Sequence, residues 1–389
     1  MQNKFPEGFL WGSATASYQI EGGIENNDWA KAAREGKVPP AGRACDHWNK
    51  YEEDFNILKE LGQNAYRFSV EWSRIEPEEG KFDESALIHY GEMIQALKKR
   101  GIEPFLTLWH FTVPIWFEKK GGFASAHAPE IFARYAFHVI SKLGGNAGHV
   151  ITINEPMIWS TNGYLRGCWP PFARSPIKYL RAIGNLARSH RIIFTESKKI
   201  FPNLKIGVAK NNLYFHANWN PLNKFAASFM RWFWNRRFLN KIKHHQDFIG
   251  VNYYMHKLFG GKLSLPQSDM GWDIFPEGLG HVLLELKRYR KPIYVTENGI
   301  ADESDSKRAA FIQSHVLEMK RAIDECANVR GYFYWSLLDN FEWAKGFGKR
   351  FGLVEIDYTT LKRTVRPSAY AYKKICLQNG IDADHISKA

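Results

Sequence analysis

Eight short apolar runs alternate with amphipathic helical patterns along the chain, and this alternation restricts the fold more than any other feature. The runs are rich in β-branched and aromatic residues, which predicts strands. They cover residues 9–14, 64–70, 103–109, 150–154, 205–209, 247–253, 292–296 and 331–335. Strands that alternate with helices form a parallel sheet, and eight of them close into a barrel. The predicted fold class is therefore α/β, a single (β/α)8 TIM barrel with inserted βα loops.

A single domain is predicted over residues 1–389, because no linker rich in Pro, Gly or Ser interrupts the pattern. Apolar residues make up 44% of the chain and are spread throughout it, which argues against disorder. The chain is longer than the roughly 250 residues typical of such a barrel, so we expect the excess in the loops.

The composition and charge argue against several classes of protein. The net charge of +13 would suit an anionic partner, but Lys and Arg are dispersed and no nucleic-acid-binding motif is present. The four cysteines have no C-x-x-C spacing, which indicates neither a disulfide framework nor a zinc site. Residues 1–6 lack the apolar core of a signal peptide, and no run is long enough to cross a membrane. We therefore expect a cytoplasmic protein without a nucleic-acid or membrane partner; the pattern does not predict its oligomeric state.

Two predicted strands each end in a glutamate. Glu297 follows the seventh run directly and precedes the turn residues Asn298 and Gly299, and Glu155 follows the fourth run in the same way. The carboxyl ends of barrel strands are where catalytic groups collect. Arg67 lies inside the second run, and an arginine buried in a strand needs a carboxylate partner. The pattern predicts chemistry that uses two carboxylates.

Six segments in order resemble glycoside hydrolase family 1, the β-glucosidase-like retaining enzymes, over nearly the whole chain. They read F-L-W-G-S-A-T-A-S-Y-Q-I-E-G-G from residue 9, R-F-S-V-E-W-S-R-I, T-I-N-E-P, G-V-N-Y-Y, Y-V-T-E-N-G and Y-W-S-L-L-D-N-F-E-W. The resemblance implies a retaining β-glycosidase that hydrolyses terminal non-reducing β-D-glycosyl residues of a small glycoside or oligosaccharide, without metal or organic cofactor. Such an enzyme needs one carboxylate nucleophile and one protonated carboxyl about 5–5.5 Å away.

The roles that the resemblance implies fall on named residues of this chain. Glu297 matches the nucleophile and Glu155 the acid/base, while Arg67 and Tyr254 match the partners of the nucleophile. Asn252 resembles a supporting residue near the acid/base. The residues that match the sugar-binding set are Gln19, His110, Asn154, Trp335, Glu342 and Trp343.

Two positions depart from the family pattern, and several alternatives stay open. Phe111 and Met157 stand where the family often has tryptophan, and Met157 would give a flexible apolar wall to the aglycone site. The glycone is not decided between glucose, galactose and fucose, and transglycosylation remains open. A non-catalytic sugar-binding barrel is disfavoured because both glutamates are present, and a thioglucosidase because Glu155 is not Gln. A phospho-β-glycosidase is disfavoured because the carboxylate of Glu342 would repel a phosphate and only Lys349 stands at a phosphate-binding position.

The segment 221–243 interleaves aromatic and cationic residues. One interpretation is a helix that binds a membrane surface or a partner. The interpretation that we favour from the sequence is an outer helix that packs on the barrel, with the stems of its cations along apolar neighbours.

Overall fold

A closed barrel of eight parallel strands forms the centre of the structure, a computed structural model that describes residues 2–382. The barrel strands are β1 Leu10–Ala14, β2 Ala65–Ser69, β3 Glu103–Thr107, β4 His149–Asn154, β5 Lys205–Asn211, β6 Phe248–Asn252, β7 Ile293–Asn298 and β8 Val329–Trp335. Each strand pairs in parallel with the next along the chain, and β8 closes the ring by pairing Gly331 with Leu10 of β1. The predicted (β/α)8 barrel is confirmed.

One main helix follows each barrel strand. These helices are α1 His47–Glu60, α2 Glu84–Lys99, α3 Ala128–Val139, α4 Pro176–Ile200, α5, α6 Glu277–Leu286, α7 Arg308–Asp324 and α8 Pro367–Gln378. Helix α5 consists of three consecutive segments, Pro221–Met230, Arg231–Arg236 and Arg237–Ile242, of which the middle one is a π-helix. No helix within residues 2–382 is both long and apolar enough to cross a lipid bilayer.

Short helices and two-stranded sheets make up the remaining elements, and those that lie between a barrel strand and its helix are the predicted insertions. The short helices are Ser17–Ile20, Asp28–Arg34, Trp72–Ile75, Ile115–Lys119, Gly122–Ala124, Ile140–Gly144, Pro156–Ser160, Thr161–Arg166, Lys287–Tyr289 and Trp343–Lys345. The strand pairs are Gln2–Lys4 with Gly380–Asp382, Tyr214–Ala217 with His256–Phe259, and Val354–Ile356 with Arg363–Val365. Because all eight barrel strands belong to one closed sheet, we retain the prediction of a single domain.

The barrel interior is apolar toward the amino ends of the strands, which we call its lower part, and polar toward their carboxyl ends, which we call its upper part. Phe105 lies 4.7 Å from Phe333 and 5.1 Å from Tyr294, between ring centroids, and these side chains fill the lower part. Arg67 and Glu297 occupy the upper part and are almost fully buried. Inward side chains of a barrel stack in layers, so the aromatic layer forms the floor beneath the polar groups.

A close approach of the backbone fixes the turn that follows β7. A Cβ atom on Gly299 would lie 1.8 Å from the carbonyl oxygen of Trp335, so only glycine fits there. The turn therefore brings the end of β7 against the end of β8.

Candidate active site

The ends of the barrel strands enclose a cavity of about 1070 Å³, a volume that includes its open mouth. Its wall contains Glu155 and Glu297, the two glutamates predicted at strand ends. Trp335, Glu342 and Trp343 also line it. A concave site with a few convergent polar groups is typical of a binding site for a small molecule.

Glu297 has a hydrogen-bond donor on each carboxylate oxygen. Nη1 of Arg67 lies 2.5 Å from Oε1, and the hydroxyl of Tyr254 donates to Oε2 at 2.8 Å. Burial raises the pKa of Glu297 above its ordinary value, while Arg67 and Tyr254 oppose that shift. Donors on both oxygens favour the ionised form and hold the carboxylate in one orientation.

Arg67 is fully buried and reaches three other barrel strands. Its Nε donates to Oγ1 of Thr107 at 3.1 Å, and Nη2 donates to Oδ1 of Asn154 at 2.7 Å. Nη1 also donates to the carbonyl oxygen of Thr296 at 3.1 Å. The carboxylate partner expected for an arginine inside β2 is Glu297.

Glu155 stands beside Asn252 at the end of β4. Its backbone is left-handed, with φ 42° and ψ 60°, and it immediately precedes the helix Pro156–Ser160. Nδ2 of Asn252 donates to Oε1 of Glu155 at 2.9 Å and also lies close enough to Glu297 to lower its pKa. Burial raises the pKa of Glu155 to about 8, and the charge of Glu297 adds to that shift. A single amide therefore adjoins both carboxyl groups, which differ in their tendency to ionise.

Hydrogen bonds determine the tautomer of His110. Oδ1 of Asn154 accepts from Arg67 and Asn252, so its Nδ2 turns to Nε2 of His110 at 3.1 Å. Burial and the charge of Arg67 hold the pKa of His110 well below its ordinary value, which keeps the ring neutral. Nε2 accepts in this arrangement, so the proton is on Nδ1. Within the described residues Nδ1 is buried without a hydrogen-bond partner, and it can donate to a bound molecule.

Gln19 presents a second unpartnered polar atom. Its Nε2 donates to Oδ1 of Asn340 at 2.9 Å and to the carbonyl oxygen of Phe341 at 2.8 Å. Its Oε1 is buried and has no hydrogen-bond partner within residues 2–382. The side chain lies beside Glu342, whose pKa is raised to about 8 by burial and by the charge of Glu297. Buried polar atoms are normally paired, so a polar ligand is expected to satisfy Gln19 and His110.

The model of the family described as Glycosyl hydrolase family 1 matches residues 1–240 and 261–381. The chain belongs to glycosyl hydrolase family 1. The chain is 36% identical to Beta-glucosidase A of Thermotoga maritima, over 97% of this chain and 99% of that protein. A solved beta-glycosidase from Pyrococcus horikoshii is similar to it at 40% identity and TM-score 0.93, over 99% and 97% of the two chains. The beta-glucosidase from Thermotoga maritima in complex with deoxynojirimycin is similar at 35% identity and TM-score 0.91, over 97% and 100%. As a member of this family, the chain is an O-glycosyl hydrolase of the retaining β-glucosidase type.

Aromatic rings form the upper wall of this family 1 cavity. The rings of Trp335 and Trp343 each stack with His110, at centroid distances of 5.8 and 6.0 Å. Phe111 also lines the cavity, at one of the two positions that depart from the family pattern. The other position is Met157, which we expected to form an apolar wall of the aglycone site. That expectation is wrong, because Met157 is fully buried in the core. Ile158, one residue further along the same helix, lines the cavity in its place.

Lys210 is a residue that the sequence interpretation missed. It is fully buried in β5, its ammonium donates to the carbonyl oxygen of Asn211, and it lies 5.5 Å from the ring centroid of Trp234. Burial lowers the pKa of Lys210 to about 7, and Glu155 opposes that shift. The available signal was a lysine within the run V-A-K-N, beyond the predicted end of the fifth strand at residue 209. This family 1 member therefore places a buried amine close to one of its two cavity glutamates.

Proposed function

We propose that the chain is a β-glucosidase that cleaves terminal non-reducing β-D-glycosyl residues through a covalent glycosyl-enzyme on Glu297, with Glu155 as acid/base. The observation that carries the proposal is the amide of Asn252, which adjoins both carboxyl groups. Because one amide reaches both carboxyl groups, the two groups lie close together. This favours the separation of about 5–5.5 Å between the carboxyl groups of retaining enzymes over the roughly 6.5–9.5 Å of inverting enzymes.

In the first step Glu155 gives its proton to the glycosidic oxygen while Glu297 attacks the anomeric carbon. A pKa near 8 keeps Glu155 protonated at neutral pH. Glu297 supplies the negative charge, because Arg67 and Tyr254 stabilise its ionised form. The different surroundings of the two carboxyl groups assign their roles.

In the second step Glu155 takes a proton from water, which then attacks the glycosyl-enzyme. Ester formation removes the charge of Glu297, and that charge is one of the two causes that raise the pKa of Glu155. The pKa of Glu155 therefore falls once the intermediate forms, and the same group becomes a base.

The sugar is held by groups that lack protein partners or line the cavity. Nδ1 of His110 donates to one hydroxyl, Oε1 of Gln19 accepts from another, and Glu342 bonds a third. The ring of Trp335 faces the sugar, and the indole nitrogen of Trp343 adds a donor. Asn154 bonds the 2-hydroxyl, a contact expected to strengthen in the transition state.

The function is tested with nitrophenyl β-glucoside, β-galactoside and β-fucoside. We expect nitrophenol release from the glucoside, and proton NMR should detect the β anomer of glucose as the first product. First appearance of the α anomer would contradict the covalent intermediate. Relative kcat/KM values for the three sugars decide the glycone. Absence of release from all three would contradict the proposed specificity.

A phosphorylated sugar is not the proposed substrate. The raised pKa of Glu342 weakens the repulsion expected from its charge. Lys349, however, donates to the carbonyl oxygen of Asp269 at 2.6 Å and does not line the cavity. A phosphate dianion that entered the cavity would therefore lose its hydrating water without gaining Lys349 as a partner. Burying a charge without such a partner costs free energy.

The pH dependence of kcat/KM should be bell-shaped. Activity should fall at alkaline pH as Glu155 loses its proton near pH 8. It should fall at acidic pH as Glu297 gains a proton, because a protonated nucleophile cannot attack. Initial rates on nitrophenyl β-glucoside across pH measure both limbs. A profile that is flat through pH 8 would contradict the role of Glu155 as the acid.

A further inference from the structure

The first half of α5 carries an exposed apolar face. Leu222, Phe225, Phe229 and Trp232 recur at spacings of three and four residues, so they lie along one side of the helix. Trp219, just before the helix, is 82% exposed, and Leu222 and Phe225 are 77% and 73% exposed. We call these five residues the apolar stripe. Contiguous exposed apolar surface of this kind marks an interaction site.

The two halves of α5 differ in how they are packed. Phe238, Leu239 and Ile242 in the second half are completely buried in the core. The docked outer helix favoured from the sequence describes this half and not the first. In the first segment, Pro221–Met230, Ala227 is the buried residue. The apolar stripe is thus an exposed surface on a helix whose continuation is packed in the core.

The surroundings of the apolar stripe are cationic. Residues 197–246 contain neither Asp nor Glu. Lys224 is exposed on the same segment of α5, and Lys257 and Lys262 are exposed on the adjoining strand His256–Phe259 and the loop after it. Nδ2 of Asn218 donates to the carbonyl oxygen of Gly260 at 2.6 Å, which ties that loop to the start of α5. Exposed aromatic rings and lysines therefore share one surface.

The chain connects the stripe to the end of the barrel where the cavity opens. Helix α5 follows the carboxyl end of β5, and Asn211 at that end lines the cavity. The strand Tyr214–Ala217 leads from there to the exposed first half of the helix. The helix that carries the stripe therefore starts from the catalytic end of the barrel.

We propose that the apolar stripe binds the surface of a lipid bilayer that carries anionic headgroups. Leu, Phe and Trp side chains enter the boundary between headgroups and acyl chains, and the neighbouring lysines meet lipid phosphates. A second copy of the chain fits less well. Two such surfaces face to face would bring like charges together with no acidic residue from 197–246 to pair them. The proposal is independent of the glycosidase activity.

Co-sedimentation with vesicles tests the proposal on the full chain. Vesicles of phosphatidylcholine containing phosphatidylglycerol should bind the protein, whereas pure phosphatidylcholine should bind it about tenfold more weakly, and added salt should reduce binding. The variant Leu222→Ser, Phe225→Ser, Phe229→Ser should lose about tenfold or more in binding to the anionic vesicles. Its activity on a small nitrophenyl glycoside should be unchanged, which shows that it is folded.

A matched control carries the same number of changes at exposed apolar positions on three other helices. Ile88, Ile200 and Tyr370 are 63%, 59% and 57% exposed, and their serine variant should bind vesicles as the parent does. The proposal fails if the parent does not sediment with anionic vesicles, or if the control loses as much binding as the stripe variant. It also fails if the parent is a dimer in solution that the stripe variant converts to a monomer without any vesicle binding, because a second copy then covers the stripe.

Discussion

Replacing Glu297 by Gln should reduce kcat on every β-glycoside by about 10,000-fold or more, the scale on which enzymes lose activity when a covalent nucleophile is removed. Gln keeps the size of the side chain, and its amide oxygen can still accept from Arg67, which now lies 2.5 Å from the carboxylate. Its NH2 group then takes the place of the oxygen that accepts from Tyr254 at 2.8 Å. It cannot form the glycosyl ester. The loss should appear in kcat/KM as well, because the bond to the anomeric carbon forms only on the way through the transition state.

The expected intermediate provides a direct measurement. A 2-deoxy-2-fluoro aryl β-glucoside slows both steps but the second more, so mass spectrometry of the digested parent protein should find the sugar on the peptide containing Glu297. The matched control is Glu103→Gln, a change at the opposite end of the barrel, where Glu103 contacts Nδ1 of His149 at 3.0 Å. This control should keep normal turnover. Labelling of a different carboxylate, or full activity of the Glu297 variant, would refute the assigned role.

The barrel could be predicted from the sequence because its pattern is local. Each strand is a short β-branched or aromatic run, and the alternation with helices leaves a parallel closed sheet as the natural solution. The predicted bounds differ from the observed ones by a few residues at most strand ends. Residue 9 precedes β1, for example, and β5 continues to Asn211. The short pair Tyr214–Ala217 and His256–Phe259 was not predicted, because four-residue strands have too few positions to establish a period.

The location of the candidate site was predictable for a related reason. A glutamate that directly follows an apolar strand is placed at the barrel mouth by connectivity alone, which applies to Glu155 and Glu297. Arg67 was predicted to require a carboxylate because a buried guanidinium is costly without one. These inferences need only the strand pattern and the cost of burial.

Other features depend on contacts between distant segments and could not be predicted. The tautomer of His110 follows from bonds among Asn154, Asn252 and Arg67, which come from three strands. The lowered pKa of Lys210 arises from burial that a sequence does not report. Both halves of α5 contain aromatic and cationic residues, yet only the second buries its apolar side chains in the core, whereas Leu222 and Phe225 of the first stay exposed. Composition indicates that such a helix is amphipathic, whereas contacts with distant segments determine which part stays exposed.

Glu155→Gln should produce a second, different kinetic defect. Nitrophenol and dinitrophenol are good leaving groups that need little protonation, so formation of the glycosyl-enzyme should continue with these substrates. The following attack by water should slow by about 100- to 10,000-fold, the usual contribution of a general base. The expected result is a burst of nitrophenol equal to the enzyme concentration, followed by slow turnover. Alkyl β-glucosides, which need the proton, should lose activity in the first step.

Azide should distinguish loss of the base from general damage to the site. In Glu155→Ala, removal of the carboxyl opens space beside Asn252, whose amide now donates to Glu155 at 2.9 Å. An azide ion fits that space and needs no base to attack the glycosyl-enzyme, so steady-state turnover of dinitrophenyl β-glucoside should rise with azide concentration. The product should be the β-glucosyl azide, because two displacements at one carbon restore its configuration. In Glu297→Ala, azide enters from the opposite face and should instead give the α-glucosyl azide. The same configuration from both variants would show that the two carboxyl groups do not act on opposite faces of the sugar.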